Sequence, residues 1–308
     1  MGFERLAKIK LFLGLSRTPH GLLDVATPAM AAMLQLGHFP TVFTIVIGLV
    51  AAFSGYTAVY AMNDLIDAPI DRERLALKNR HKQVSDIDAV IVQHPVAQGL
   101  IPVKSGLVWV TFWTALALTG AAILNPSCVL IFATSACCEA LYCKLLRVTH
   151  FKIIFSAIVK ATGGLAGIFA VNRNPDLKFV LFIFVWLACW EIGGQNIAND
   201  IIDLEDDRRI GAKTTLTVLG LRESVFILLV SVSMATFAGV MIFVLAGAGI
   251  GWIYPVGATF LGYFLLLKPA RLVYESPGPQ TAGSLFNRAS YMPLAFLVLV
   301  VVSTWIKI

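Results

Sequence analysis

Carboxylates are scarce in this chain, and where they fall is informative. Of its eighteen Asp and Glu in 308 residues, half lie in two short windows, 64–73 and 200–207. The windows repeat one another. NDLIDAPIDR at 63–72 and NDIIDLEDDR at 199–208 share Asn, Asp, two apolar residues, Asp, three further residues, Asp and Arg. Offsets of three and four put side chains on one helical face. Asp64, Asp67 and Asp71 therefore form a stripe with Asn63 beside it, and Asp200, Asp203 and Asp207 repeat it with Asn199. Upstream, Glu191, Gln195, Asn199 and Asp203 step by four, and Tyr56 and Tyr60 do the same above Asp64. Like charges this close repel unless a cation joins them. An all-oxygen donor set with few carboxylates per ion suits Mg²⁺, whose other positions go to water and substrate phosphate. The five histidines are scattered and no Cys pair has metal spacing, so zinc has no obvious site. His38 reads as a loop residue, His20 as a weak pocket residue, and the five cysteines as small packing hydrophobes. The expectation is two Asp stripes facing across a cleft, each holding Mg²⁺ on one diphosphate.

The elements that must position these stripes are membrane helices. The chain is 58% hydrophobic and 14% charged, with mean hydropathy +0.80, too little polar surface to coat a water-soluble globule. A net charge of +6 in so apolar a chain marks a membrane face and not nucleic acid. A bilayer core needs roughly 20 mostly apolar residues in a helix. Such runs stand near 19–37, 41–62, 105–124, 127–146, 153–172, 179–199, 224–247, 249–267 and 289–306. The predicted fold is all-α: nine transmembrane helices around a central cavity open to the cytoplasmic side and to lipid. Lipid cannot satisfy open backbone groups, so every span is helical.

Orientation follows from Lys and Arg. Twenty fall before the first span or in the 2–3, 4–5, 6–7 and 8–9 connections; Arg173, Lys178 and Lys307 lie opposite, and Lys160 lies inside a span. This predicts a multi-pass cell-membrane protein with its N-terminus cytoplasmic and its C-terminus outside. Residues 1–17 interleave Arg5, Lys8 and Lys10 with apolar residues, which reads as an interfacial amphipathic helix and not a cleaved signal peptide. Residues 64–104 and 200–222 then form cytoplasmic caps on a single domain, 1–308. Both motifs close spans that run in the same direction, which hints at a parallel internal repeat. One copy alone would read as a solvated helix end; two at equivalent ends do not.

These motifs resemble those of the UbiA superfamily of intramembrane prenyltransferases, known for nine transmembrane helices and two Asp-rich motifs of the NDxxDxxxD and DxxDxxxD type. The likeness extends to DRRIGAKTTLTVLG at 207–220 and to HPVAQG at 94–99. The resemblance implies that Asp67 and Asp71 bind Mg²⁺ from one side and Asp203 and Asp207 from the other. Asn63, Asp64, Asn199 and Asp200 would complete the shell, with Arg72, Arg208 and Lys213 on phosphate. Two family elements are irregular here: Asn79-Arg80 is followed by His81 in place of Pro, and Tyr142 and Lys144 are only two apart. Arg80, Tyr142 and Lys144 stay as substrate contacts without a settled phosphate base.

The resemblance further implies an isoprenyl diphosphate donor, ionised to an allylic cation, and a lipophilic acceptor, typically an aromatic quinone precursor. Metal and bases would stabilise the departing diphosphate, and the rings of Tyr56, Tyr60, Tyr142 and Trp190 are candidates to face the cation. Asp24 and Lys160 are charges inside spans, which default to function. Asp24 lies near the inside boundary; Lys160 reads as a substrate contact or as the partner of a buried carboxylate, with Glu191 the obvious one. The rival reading is a secondary transporter, which internal repeats also fit, but transporters keep ion sites near the midplane and not at one face. A CDP-alcohol phosphotransferase would need a DxxDGxxAR…GxxxD pattern that is absent.

Overall fold

The computed structural model describes residues 2–77 and 91–306, and the described chain is helical throughout, with no strand. Helices α1 (Gly2–Leu15), α2 (Thr18–Asp24), α3 (Ala26–Leu36) and α4 (Val42–Leu77) lead into α5 (Val103–Leu124), α6 (Pro126–Lys144), α7 (Lys152–Val171) and α8 (Leu177–Trp190). The second half runs α9 (Ile197–Ile202), α10 (Leu204–Arg209), α11 (Thr215–Leu219), α12 (Leu221–Met241), α13 (Ile253–Gly262), α14 (Lys268–Glu275), α15 (Pro279–Ser290) and α16 (Met292–Trp305).

Among the described residues, eight helical segments are long and apolar enough to cross a bilayer. The ninth predicted span, 19–37, is present but broken between α2 and α3 at Val25. Pro28 lacks the N–H that would bond the Asp24 carbonyl, so the helix loosens there. α3 nonetheless packs as a span does: Met30, Ala31 and Leu34 are fully buried in the main core with Ile168 and Trp186. That core fills the space between α3, α7, α8, α12, α13 and α16, anchored by Trp186, Trp190, Tyr254 and Phe296. Outward, Val42, Val108, Leu130, Val256 and Trp305 stay exposed, as lipid-facing side chains must.

At the end that carries the motifs, the last turn of α1 packs into the bundle while Lys8, Ile9 and Lys10 stay exposed. Leu15 is buried with Ala61, Ala68, Val96 and Ile101, and the Trp109 indole donates to Ser16 Oγ at 2.8 Å. A smaller cluster of Leu146, Ile210 and Ala212 against Ile70 ties the α6–α7 connection to the second motif and the end of α4.

Between α3, α4, α6 and α7 lies an apolar cavity of about 340 Å³, lined by Pro28, Met33, Gly48, Tyr56, Phe132 and Gly163 among others. Glycine lets the helices close around it. A Cβ on Gly167 would sit 2.1 Å from the Pro28 carbonyl oxygen, and one on Gly163 would sit 2.3 Å from the Tyr56 hydroxyl.

Candidate active site

The first motif lies on the continuous α4, whose helix passes through Pro69 without ending. Its face survives as the spacing predicts. Asp64 and Asp71 are buried, Asp67 half-buried, and Asp64 and Asp71 converge on one atom, His94 Nδ1, at 3.1 and 2.8 Å. Burial works to lower the His94 pKa, but the hydrogen bonds that Asp64 and Asp71 accept outweigh it and raise it to about 9. Asn63 is turned toward α6, its Nδ2 donating to Glu139 Oε1 at 2.6 Å and to Cys143 Sγ at 3.2 Å. Cys143 also hydrogen-bonds Asp67, so it does more than pack.

The second motif is interrupted. Glu191–Asn196 is a π-helical turn, and α9 gives way to α10 at Asp203, with φ −95° and ψ 5°. The i→i+5 bonding of a π turn shifts the register by one residue, which breaks the step-by-four row. Glu191 Oε1 accepts from Asn196 Nδ2 at 2.6 Å and from Ser156 Oγ at 2.6 Å, while Gln195 faces Ser290 at 3.2 Å on another side. Asp200 Oδ2 accepts from the Thr215 backbone N–H at 3.1 Å, at the start of α11. Asn199 is exposed and donates to Asp203 Oδ2 at 3.1 Å.

One cation joins the motifs and a second serves the second motif alone. Arg74, one turn past Asp71, reaches across from α4 to Asp207 at 2.5 Å. Burial raises the Asp207 carboxyl and the Arg74 charge only partly opposes it, leaving a pKa of about 6. Lys152, buried at the start of α7, stands 4.2 Å over the Tyr142 ring, whose hydroxyl donates to Asn196 Oδ1 at 3.3 Å, and its charge acts on Asp200 and Asp207. Arg17, after α1, bears on Asp67. Among the described residues, the non-glycine positions with positive φ are Arg17 (42°) and His94 (52°), and both serve this site.

The structure disperses several predicted contacts. Arg72 is exposed and donates to the Ala97 and Val96 carbonyls at 3.3 and 3.5 Å, bracing the 94–99 turn. Lys144 is exposed at the end of α6. Arg208 and Lys213 are exposed and line a separate groove with Thr149 and His150. Arg80 lies outside the described residues. The bases beside the Asp stripes are instead Arg17, Arg74, His94 and Lys152. Sequence spacing could have offered Arg74, on the same helix; the others come from distant segments and only packing brings them in.

Lys160 pairs with Asp24, not with Glu191. Its Nζ lies 2.5 Å from Asp24 Oδ2 and 2.8 Å from the Tyr60 hydroxyl, which donates to Asp24 in turn. Asp24 is 1% exposed, so the pair is mutually neutralised inside the membrane region. This cluster stands between the Asp stripe and the apolar cavity: Tyr60 is one helical turn from Asp64, and Tyr56, stacked on Tyr60 at 6.5 Å, lines the cavity.

The donor set fits a divalent ion held with an anion. Buried oxygens Asp64 Oδ2 and Asp67 Oδ1 have no hydrogen-bond partner, and neither has the buried Arg74 Nε. Unpaired acceptors call for a cation and an unpaired guanidinium N–H calls for an anionic oxygen.

Comparison with known proteins agrees with this architecture. The UbiA prenyltransferase family matches residues 25–291. A digeranylgeranylglyceryl phosphate synthase of Thermococcus sibiricus is 24% identical over 276 residues, 90% of each chain. The apo structure of a UbiA homolog from Aeropyrum pernix K1 superposes with a TM-score of 0.73 at 19% identity, covering 92% of this chain and 97% of that one. A UbiA homolog from Archaeoglobus fulgidus bound to DMAPP and Mg²⁺ superposes with a TM-score of 0.68 at 17% identity, covering 96% and 99%.

Proposed function

From the premise that this chain belongs to the UbiA prenyltransferase family, we propose that it transfers an isoprenyl group from an isoprenyl diphosphate to a lipophilic acceptor. The donor head is held between the two Asp motifs and its tail in the apolar cavity. The observation that carries this reading is the set of unpaired buried atoms, Asp64 Oδ2, Asp67 Oδ1 and Arg74 Nε, which asks for a cation and an anion together.

Asp67 and Asp71, with Asp64, are the residues to hold Mg²⁺ on one side, and Asp203 and Asp207 on the other. Bound there, Mg²⁺ neutralises charge on the diphosphate and so favours its departure. Arg74, Lys152 and Arg17 supply fixed positive charge around the same oxygens. The Tyr56 and Tyr60 faces stand where the allylic carbons leave the head, and the Asp24–Lys160 pair fixes the Tyr60 ring. Burial in the membrane keeps water from the cation. Along α4 the cavity runs from Val59 to Thr44, fifteen residues or about 22 Å. An isoprene unit extends about 5 Å by ordinary bond geometry, so the cavity takes a tail of roughly four units. The acceptor enters from the same membrane region. The glyceryl phosphate product named for the Thermococcus relative makes a lipid hydroxyl the first acceptor to try, ahead of an aromatic quinone precursor. The Lys/Arg asymmetry supports a cytoplasmic N-terminus with both motifs on that face, within one domain.

The test is turnover of the purified protein with isoprenyl diphosphates of graded length and a panel of lipid and aromatic acceptors, read by mass spectrometry and by pyrophosphate release. The expected result is Mg²⁺-dependent release that Asp71→Asn abolishes. Ion-coupled uptake into proteoliposomes, without pyrophosphate release, would favour transport instead.

A further inference from the structure

Arg80 lies outside the described residues, and the side chain that meets both Asp64 and Asp71 is His94. Its Nδ1 meets Asp64 Oδ1 at 3.1 Å and Asp71 Oδ2 at 2.8 Å. One ligand atom from each of Asp64, Asp71 and His94 lies within 4.8 Å of the other two. Ligands at right angles around an ion with bonds of about 2.1 Å stand about 3.0 Å apart, so these contacts have the spacing of neighbouring ligands in an octahedral shell. Asp64 is 1% exposed and its Oδ2 has no partner, so hydrogen bonding to the imidazole leaves the carboxylate half satisfied.

The backbone is built to hold the ring there. His94 has φ 52°, a left-handed conformation that costs free energy in any residue but glycine and that persists where its surroundings over-determine it. Pro95 follows it, and the Pro95 carbonyl accepts from the Leu100 and Ile101 N–H groups at 2.9 and 3.2 Å. Val96 is fully buried, Arg72 grips the Ala97 and Val96 carbonyls, and Gln98 Nε2 donates to the Gln93 carbonyl at 2.7 Å. A surface turn needing only to connect two helices has no use for this bracing at a strained residue.

We propose that His94 is a nitrogen ligand of the divalent ion held by Asp64 and Asp71, which makes the first motif a mixed nitrogen–oxygen site and the second an all-oxygen one. This rests on the first motif being an ion site, as the proposed function has it. Imidazole favours later first-row metals over Mg²⁺, so the first site discriminates for Mn²⁺, Co²⁺ and Zn²⁺ more than carboxylates alone do.

The experiment is electron spin-echo envelope modulation on the full-length protein loaded with Mn²⁺, which needs neither substrate nor turnover and so stands apart from the prenyl-transfer reading. The wild type is expected to show ¹⁴N coupling that changes to ¹⁵N frequencies when histidine alone is ¹⁵N-labelled. The coupling is lost in His94→Gln and kept when His20, His38, His81 and His150 are all replaced by Gln, so the assignment survives even if one of these variants does not fold. Titration should show the preference for Mn²⁺ over Mg²⁺ falling about tenfold in His94→Gln. No histidine coupling in the Mn²⁺-loaded wild type, or coupling that persists in folded His94→Gln, overturns the proposal.

Discussion

The two acidic motifs share residue types at matching positions but do not share a structure. The first stays on one helix, so Asp64, Asp67 and Asp71 keep a common face. The second follows a π turn and bends at Asp203, so its carboxylates are shared between two short helices. The difference extends to their partners. Asp200 is committed to the Thr215 N–H and Asp207 to Arg74, whereas Asp64 and Asp67 each keep a buried oxygen without a partner. A repeated motif therefore divides its labour: the first copy carries unmet demand for an ion, and the second spends part of its charge on holding the site together.

The sharpest way to break that comparison is by substitution at the first motif. Asp71→Asn or Asp67→Asn should lower kcat/KM for an isoprenyl diphosphate by about 10³-fold, with the melting temperature nearly unchanged. A loss under about tenfold would remove the distinction. Arg74→Ala, which leaves Asp207 buried without its cation, should destabilise the protein by about 3 kcal/mol, measured by thermal denaturation in detergent. Asp200→Ala should act as the loss of a helix cap does, costing about 1 kcal/mol and leaving kcat/KM within severalfold.

A pH series on ion-free protein separates the motifs again. Both His94 and Asp207 are raised in the folded state, so each contributes stability at low pH that is lost as pH climbs through its folded value. For Asp207 the loss is complete by about 6, and for His94 it runs from the ordinary value near 6.5 to about 9. His94→Gln should flatten the upper slope of melting temperature against pH and spare the lower one. The smallest effects belong to Arg208→Ala and Lys213→Ala, whose side chains face a separate groove; turnover should change little, and a loss as deep as that of Asp71→Asn would move the diphosphate to that groove.

Much of this was legible in the chain itself. The apolar runs locate the spans because a bilayer demands a length, and the Asp stripe of α4 follows from helical periodicity alone. The row Glu191, Gln195, Asn199 and Asp203 was misread where periodicity is not enough: a π turn at Glu191–Asn196 depends on close packing at Gly193 and Gly194, where a Cβ would lie 2.9 Å from the Leu228 carbonyl oxygen and 3.0 Å from Ala289 Cβ. Asp24 and Lys160 stood out as charges in spans, but their pairing, across 136 residues, depends on how α2 meets α7. His94 was passed over because a lone histidine carries no spacing signal; only its turn and the end of α4 bring it to Asp64 and Asp71.

The most direct test of the central claim, that both motifs flank one ion–diphosphate site, is a crystal structure with Mn²⁺ in place of Mg²⁺ and an unreactive thiodiphosphate analogue of the donor. Anomalous density should appear against Asp64, Asp67 and Asp71 and against Asp203 and Asp207, with the diphosphate between them in reach of Arg74. Ions lying elsewhere, or a diphosphate seated between Arg208 and Lys213, would contradict it.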